Sequence, residues 1–388
     1  MGLGDVKNLR DRPDLPGVDR IGYQTPNPGN ASTHQYIRDF EGQVRRGQQV
    51  VRSLLNLKDK GFIPDLIYGH PGWGEILYVK DVFPNVPLVG LFEFYYHGRG
   101  QDVGFDPEFA ASPNLELESL CRIRTKNVNN LLALEAVDYG ICPTHYQQSV
   151  MPSEFQAKLT VIHDGIDTAI AAPNPQAQVT LPVGDTSVTL DRSQEVITFV
   201  NRNLEPYRGY HTFMRCLPQL LKARPDAQVV IVGGDSVSYG AAAPSGQTWQ
   251  DLFFNEVKEQ LDLNRVHFTG RVPYRQLIGL FQVSSVHVYL TYPFVLSWSL
   301  LEAMSCGCLV VGSRTAPVEE VIHDGQNGLL VDFFQPAETV EQIVAVMEHP
   351  TNMQALREAA RQTIVDQYDL KTVCLPQQLA FMDKVLNQ

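Results

Sequence analysis

The sequence predicts an α/β protein built from two Rossmann-like domains, each with a parallel sheet covered by helices on both faces. Three observations lead to this prediction. The chain has 388 residues, a length typical of two domains. Short apolar strand signals alternate with helix signals, which is the pattern of parallel sheets. The alternation stops over residues 171–195 and then starts again.

The first run of alternation covers residues 1–170 and predicts the N-terminal domain. Residues 1–30 are rich in Gly, Pro, Asp and Arg, so we expect them to be irregular. A helix over Thr33–Lys60 is expected to stop at Gly61. Further helices are expected at Glu75–Lys80 and Leu115–Leu134, and strands at Asp65–Gly69, Pro87–Phe94, Tyr139–Cys142 and Leu159–Ile162.

The second run covers residues 196–367 and follows a linker with a small hairpin at 171–195, which is crowded with Pro and Gly. Its expected strands are Val196–Val200, Gln228–Val232, Val266–Phe268, His287–Leu290 and Leu309–Gly312. Its expected helices are Tyr210–Lys222, Gln250–Leu261 and one from Leu300. Residues 337–386 are predicted mostly helical, and the last helix, about 368–388, is expected to pack back on the N-terminal domain. Ligands of such sheets bind at the carboxyl ends of the strands, so we expect a site in the cleft between the domains.

Composition excludes several classes of partner. The net charge of −12 disfavours nucleic acid and anionic lipid as general partners, because both need a basic face. No apolar run approaches the length of a membrane span, and the N-terminus lacks a signal pattern. We therefore expect a cytoplasmic protein without a membrane span. The six cysteines show no zinc-binding spacing and are expected to be reduced and mostly buried.

The segment Tyr292–Gly307 predicts an anion site. A strand ends near Thr291, and a loop with Ser297 and Ser299 leads into a helix whose first amides are unpaired. A helix N-terminus with free amides binds anions such as phosphate. Glu302 is expected in the first turn, where a carboxylate can accept two hydrogen bonds from a ribose diol. The alternative is that Glu302 only complements the helix dipole.

Two arginines stand on the loop Val200–Gly209, which follows a predicted strand and precedes a helix. Arg202 and Arg208 could converge on a diphosphate, since each guanidinium can bind two oxygens. The alternative is that both are solvated loop arginines. No Asp-x-Asp occurs in the chain, so we expect the arginines and the helix N-terminus to neutralise the diphosphate without a metal ion or a cofactor.

Five segments of the C-terminal half occur in a characteristic order: Asn201–Gly209, Val229–Asp235, Phe268–Val272, Leu300–Met304 and His323–Val331. Together they resemble the retaining glycosyltransferases of the GT-B fold, family 4, with Arg208 in the role of the family lysine. The resemblance implies that Gly234, Arg271, Val272 and Trp298 join Arg202, Arg208, Ser297, Ser299 and Glu302 in donor binding. The sequence departs from the family at Phe294, which replaces a glutamate near the donor sugar, at Ser297, which replaces a glycine, and at its opening residues.

In the N-terminal half, the resemblance places Glu93 where the family has a histidine that faces the reacting sugar. It implies a catalytic role for Glu93, which could stabilise an oxocarbenium ion, or for His97 four residues later. Either could instead hydrogen-bond only to loop backbone. His70, Trp73 and Tyr96 are expected on the acceptor side, where Trp73 offers a face for a sugar ring or merely packs over a turn. The turn at His163–Asp167 resembles the family's interdomain turn.

The resemblance implies transfer of a hexose, with glucose from UDP-glucose favoured, to a saccharide or lipid-linked saccharide acceptor with retention at the anomeric carbon. Peripheral contact with a membrane is compatible with such acceptors. The chain is similar to enzymes of cyanobacterial or proteobacterial exopolysaccharide synthesis, such as heterocyst-envelope polysaccharide glucosyltransferases. Two alternatives stay open: a sugar-nucleotide epimerase or phosphorylase on the same fold, and a non-catalytic saccharide-binding or regulatory subunit.

Overall fold

The computed structural model describes residues 1–10, 12–24, 26–27, 32–111, 113–244 and 246–388. The chain forms two compact units, and both are α/β with parallel sheets, which confirms the predicted fold class. The N-terminal unit comprises Met1–His163 and Gln377–Gln388, and the C-terminal unit comprises Asp164–Pro376. No described helix is both long and apolar enough to cross a lipid bilayer.

The N-terminal unit holds two parallel sheets. Strands β1 (Gly2–Asp5) and β2 (Arg20–Tyr23) pair with each other, with Asp5 opposite Tyr23. Strands β3 (Ile67–Gly69), β4 (Leu88–Leu91), β5 (Tyr139–Cys142) and β6 (Leu159–Val161) form a four-stranded sheet in chain order. Its helices are α1 (Val6–Arg10), α2 (Arg38–Asp59), α3 (Val79–Val82), α4 (Glu116–Lys126), α5 (Val128–Ala136) and α6 (His145–Ser149).

Two predictions for this unit are wrong. Residues 1–30 are not irregular throughout, because β1 and β2 pair. Gly22 allows Val6 to pack closely against β2, since a Cβ atom on Gly22 would lie only 2.5 Å from Cγ2 of Val6. Positions 11, 25 and 28–30 of that prediction lie outside the described residues. The expected helix Leu115–Leu134 is divided into α4 and α5 at Asn127. The Asn127 side chain at this break forms hydrogen bonds with the backbone of Tyr96.

The C-terminal unit begins with an antiparallel hairpin of β7 (Gln178–Val183) and β8 (Thr186–Asp191). Its main sheet is parallel, with strands β9 (Val196–Asn203), β10 (Gln228–Gly234), β11 (Val266–Gly270), β12 (Val286–Tyr289), β13 (Leu309–Ser313) and β14 (Leu329–Val331). Its helices are α7 (Tyr210–Ala223), α8 (Trp249–Val257), α9 (Tyr274–Val283), α10 (Trp298–Ser305), α11 (Ala316–Glu319), α12 (Pro336–Glu348) and α13 (Gln354–Tyr368). The final helix, α14 (Leu375–Leu386), places Val385 in a cluster with Val89 and Ile141 of the N-terminal unit.

The strand order of the main sheet is β11-β10-β9-β12-β13-β14. Strands β10 and β11 are added on one side of β9 and strands β12 to β14 on the other, so the sheet has a topological switch point between β9 and β12. The carboxyl ends of the two strands at such a switch point flank the crevice where open α/β sheets bind ligands. The central strands are apolar on both faces, and Ile197, Phe199 and Val288 are almost fully buried. Each such side chain contributes about 1.5–3 kcal/mol of burial free energy, which makes this sheet a firm support for the loops at its edge.

A small group of polar side chains around His287 interrupts this core. His287 on β12 is fully buried, and its Nδ1 lies 3.0 Å from the Thr198 hydroxyl, which in turn lies 2.9 Å from the Ser284 hydroxyl. Its Nε2 has no hydrogen-bond partner among the described residues. Burial lowers the pKa of His287 to about 3, because a charged imidazolium would lose its hydration there. His287 is therefore neutral in the folded protein at ordinary pH.

The five buried cysteines are equally inert, because burial raises the thiol pKa of each, and all six cysteines are free. Cys121 is the exposed one. This agrees with the expectation of reduced, mostly buried cysteines.

We expect the free energy of unfolding to fall in acid through His287. Unfolded His287 gains a proton below its ordinary pKa of 6.5, while folded His287 stays neutral down to a pH of about 3. Its contribution to the free energy of unfolding is therefore complete above pH 6.5 and is lost progressively as the pH falls towards 3. From pH 7 to pH 5 this loss is about 2 kcal/mol. In His287→Gln the loss should be smaller by that amount, which urea unfolding at pH 7 and pH 5 would measure. Identical acid sensitivity of the two proteins would contradict this assignment.

Candidate functional site

Arg208 ties together the two loops at the switch point. It is 4% exposed and ends a short 3-10 turn after β9. Its Nη1 donates to the backbone oxygen of Val295 at 2.8 Å and to the Thr291 hydroxyl at 3.0 Å, both on the loop after β12. It also contacts the Tyr289 hydroxyl at 3.3 Å. One guanidinium nitrogen therefore fixes the two loops that the fold places beside the ligand crevice.

Aromatic rings enclose the same guanidinium. Its Cζ lies 5.0 Å from the ring centroid of Tyr239 and 5.7 Å from that of Phe294, and the two rings are 5.0 Å apart. Rings at these distances attract the cation and hold its plane. Nε and Nη2 of Arg208 donate to none of the described residues. The side chain is thus fixed through Nη1 and keeps the other edge of its fork for an acceptor such as phosphate.

Gly209 makes this turn possible. It has φ of +67°, and a Cβ atom on it would lie 2.3 Å from the Cβ atom of Leu290. A larger residue would meet both a strained backbone and the end of β12. The glycine therefore lets the 3-10 turn pass directly into α7 while Arg208 stays beside the second loop.

The helix α10 begins two residues earlier than predicted, at Trp298, so Glu302 lies in the second turn and not in the first. Ser297 is the N-cap: its hydroxyl accepts from the Ser299 amide at 3.3 Å and lies 2.9 Å from the Ser299 hydroxyl. The Ser297 amide donates to the Tyr289 hydroxyl at 2.8 Å. Trp298, the first helical residue, is 54% exposed. The helix thus starts next to the loop that Arg208 fixes.

Glu302 is 7% exposed and has a partner that the sequence did not reveal. Tyr274, the first residue of α9, lies near its carboxylate. Burial raises the pKa of Glu302, and the nearby Tyr274 hydroxyl opposes that rise. Burial and the nearby Glu302 charge raise the pKa of Tyr274. Tyr274 follows the predicted donor segment by two residues, and this position was the only signal that could have identified it.

The other predicted donor residues occupy different positions at the sheet edge. Gly234 ends β10, where a Cβ atom would lie 2.7 Å from Oδ1 of Asn203. The same oxygen accepts from Nη2 of Arg271 at 3.1 Å, and Val272 packs partly buried against the core. Arg202 lies near the end of β9 with an exposed side chain, in contrast to buried Arg208. The convergence of the two guanidinium groups stays a prediction.

In the N-terminal unit, the structure brings His70 and Glu93 together after the adjacent strands β3 and β4. Nε2 of His70 lies 2.8 Å from Oε2 of Glu93. The Gly72 amide donates to Nδ1 of His70 at 3.0 Å, so in the neutral ring the proton is on Nε2 and that nitrogen donates to Glu93. Both side chains are partly exposed, and Trp73 on the same loop is 65% exposed.

His97 and Tyr96 are held by the protein itself. Nε2 of His97 donates to the backbone oxygen of Val150 at 2.8 Å, which is the backbone-binding alternative considered for this residue. The ring of Tyr96 lies 3.7 Å from Nζ of Lys126 and forms an edge contact with Phe94. These contacts favour a structural role for His97 and leave Glu93 as the better candidate of the pair.

A set of side-chain amides fixes the backbone of these loops, and the sequence did not identify it. Asn127 accepts from the amide of Tyr96 at 3.0 Å and donates to its carbonyl at 2.7 Å. The other three amides each donate to one carbonyl: Asn129 to Pro71 at 2.6 Å, Asn130 to Phe94 at 3.2 Å and Gln147 to Glu93 at 2.6 Å. These amides fix the backbone of the loops that carry His70 and Glu93, and they bind backbone atoms and not the two side chains.

Comparison with known proteins matches both halves of the chain to glycosyltransferase families. The model of the glycosyl transferase family 4 group matches residues 5–171, and that of glycosyl transferases group 1 matches residues 186–363. The D-inositol 3-phosphate glycosyltransferase of Mycolicibacterium vanbaalenii is 25% identical over 55% of this chain and 46% of its own length. The chain thus spans about half the length of such curated relatives. The glycogen synthase of Mycobacterium tuberculosis is 24% identical over 84% of this chain and 72% of its own length.

Solved structures share the fold at lower sequence identity. The HepE protein of Anabaena in complex with UDP-glucose superposes with a TM-score of 0.62 at 17% identity, covering 94% of this chain and 85% of that protein. The sucrose-phosphate synthase of Thermosynechococcus elongatus gives a TM-score of 0.68 at 16% identity, covering 97% and 87%. Both likenesses show the architecture of two α/β domains.

We expect Asn127→Asp to destabilise the loop that carries Glu93. The aspartate still accepts from the Tyr96 amide, but it places an oxygen against the Tyr96 carbonyl without creating a cavity. The free energy of unfolding should fall by about 1–3 kcal/mol, measured by urea denaturation at neutral pH. The matched control is Asn130→Asp, which places the same new charge at the N-terminal end of α5 but loses only one, longer hydrogen bond. Equal losses in the two variants would argue against the two-point role of Asn127.

Proposed function

Because this chain belongs to the glycosyltransferases of the GT-B fold, with a family 4 N-terminal half and a group 1 C-terminal half, we propose that it transfers a hexose from a nucleotide-diphosphate sugar to a saccharide hydroxyl. The proposed donor is UDP-glucose, and the configuration at the anomeric carbon is retained. The proposed acceptor is a growing saccharide, free or lipid-linked. The C-terminal unit binds the donor.

The observation that carries this proposal is the state of Arg208 at the switch point of the sheet. Its Nη1 is fixed by the loop after β12, while Nε and Nη2 are left for a ligand. A departing diphosphate gains negative charge, and a rigid guanidinium beside a helix N-terminus stabilises that charge without reorganising. Arg202, exposed near the end of β9, is the proposed second donor to the same group.

The Glu302–Tyr274 pair is the proposed ribose site. A buried carboxylate can accept hydrogen bonds from both hydroxyls of a ribose. The nearby Tyr274 hydroxyl opposes the rise in the pKa of Glu302 that burial produces, and so favours the ionised form that accepts. Arg271 and Val272, at the end of β11, are the proposed neighbours of the nucleobase, with their main chain as the contact.

The likeness to HepE bound to UDP-glucose, to sucrose-phosphate synthase and to glycogen synthase supports glucose as the sugar. Phe294 bears on the same question. It is 4% exposed and packs against Tyr207 and Tyr239, so an aromatic wall stands where the resembling family has a carboxylate. We propose that ring contacts replace hydrogen bonds to the sugar on this side.

In the N-terminal unit, Glu93 is the proposed catalytic carboxylate and His70 its partner. Negative charge on Glu93 would stabilise an oxocarbenium-like transition state. The exposed ring of Trp73 is the proposed platform for the acceptor sugar. Metal independence is part of the proposal, because the guanidinium groups and the helix N-terminus supply the positive charge that a divalent ion would provide.

A panel of UDP-, GDP- and ADP-sugars, monitored by release of the nucleoside diphosphate, tests this function. We expect release from UDP-glucose, stimulated by saccharide acceptors and unaffected by EDTA. Binding of UDP-glucose without release would favour the non-catalytic alternative, and interconversion of the sugar would favour an epimerase. Complete loss of activity in EDTA, restored by magnesium, would refute metal independence.

Arg208→Ala should weaken UDP binding by about 1.5–3 kcal/mol, or about 10- to 150-fold, because charge-assisted hydrogen bonds to the diphosphate are lost. Arg208→Lys should lie between, since it keeps the charge but not the fork. Calorimetric titration with UDP gives the affinities, and circular dichroism confirms folding. The control is Arg192→Ala, an arginine of the same unit that binds the backbone of Gln282. Wild-type UDP affinity in a folded Arg208→Ala protein would contradict the proposal that Arg208 binds the diphosphate.

A further inference from the structure

Glu205 is a buried carboxylate that the proposed mechanism does not use. It lies three residues before Arg208 and is 1% exposed. Its carboxylate oxygens accept from three consecutive backbone amides after β10, those of Ser238 at 3.2 and 3.3 Å, Tyr239 at 3.2 Å and Gly240 at 3.4 Å. Successive amides directed at one point form a nest that binds an anion. Here the anion is a side chain of the same protein.

The charge of Glu205 is supported on two sides. Burial raises its pKa, while the three amides and the neighbouring Arg208 guanidinium counteract that rise. A backbone hydrogen bond also joins Glu205 and Arg208, because the Arg208 amide donates to the Glu205 carbonyl at 3.1 Å. One residue thus contacts the amide of Arg208 through its main chain and the amide of Tyr239 through its side chain.

The segment Ser238–Ala241 is held at both ends as well. Nδ2 of Asn203 donates to the Ser238 hydroxyl at 2.6 Å, and Nε1 of Trp249 donates to the Ala241 carbonyl at 2.9 Å. The part between these anchors carries Tyr239, whose ring covers the Arg208 guanidinium. The nest is therefore the central attachment of the segment that supplies one wall of the Arg208 pocket.

We propose that Glu205 is a positioning residue of the donor site: its carboxylate fills the amide nest and thereby sets Tyr239 against Arg208. The ligand of Arg208 is the diphosphate of the proposed function, on which this inference rests. A carboxylate suits the task because it only accepts, so it can bind all three amides at once. A glutamine would direct its own N–H groups at some of those amides.

Two variants, Glu205→Ala and Glu205→Gln, test this role in the full-length protein. Hydrogen exchange of the peptide over residues 236–242 reports the nest amides without any nucleotide. Calorimetric titration with UDP reports Arg208. Formate, a carboxylate small enough for the space that Glu205→Ala leaves, is added as a chemical rescue. The control is Asp191→Ala, which removes a carboxylate that accepts from the backbone of Ser193 in another turn.

We expect Glu205→Ala to lose amide protection over residues 236–242 and to bind UDP at least about tenfold more weakly, with formate restoring both. Glu205→Gln should lose affinity without rescue, because its own side chain occupies the space. Wild-type UDP affinity in folded Glu205→Ala, or a loss that formate does not restore, would overturn the inference. Absence of UDP binding in the wild-type protein would instead count against the proposed function, while exchange at the nest would still test the Glu205 anchor.

Discussion

The hydrogen bonds from Nη1 of Arg208 to Val295 and Thr291 are the interaction on which the candidate donor site depends. They join the loop after β9 to the loop after β12, and these are the two loops that the strand order places at the switch point. The left-handed backbone of Gly209 lets the turn approach β12 closely enough for them to form. Without this link, the helix N-terminus at Ser297 and the guanidinium would be positioned independently of each other.

A buried guanidinium is costly, because it loses its hydration, and the C-terminal unit offsets that cost in three ways. Oxygen acceptors take the N–H groups of Nη1, two aromatic rings cover the guanidinium, and the Glu205 carboxylate lies close enough to interact with its charge. Each of these contacts also restricts the orientation of Arg208. The same groups that make the charge tolerable therefore pre-organise it, which is what stabilisation of a developing charge requires.

The sequence predicted the parts of this candidate site that lie on short, continuous segments at strand ends. Arg208 and Ser297 were predicted because each lies between a strand and a helix, and Glu302 because it follows in the helix that Ser297 caps. Tyr274 and Tyr239 could not, since each lies near its partner only through tertiary packing between segments that are distant in the sequence. The division of one expected helix at Asn127 and the pairing of β1 with β2 escaped prediction for the same reason: contacts distant in sequence overrode local propensity.

The two units place their functional candidates differently, and the difference fits their proposed roles. In the C-terminal unit, Arg208 and Glu302 are buried, which suits the diphosphate and ribose that we propose as their ligands. In the N-terminal unit, His70 and Glu93 are partly exposed and Trp73 is exposed, on loops whose backbone is fixed by the amides of Asn127, Asn129 and Gln147. A fixed backbone with exposed side chains keeps the Glu93 charge in place while leaving room for acceptors of different shape. Under the proposed roles, specificity for the acceptor depends on a few exposed side chains.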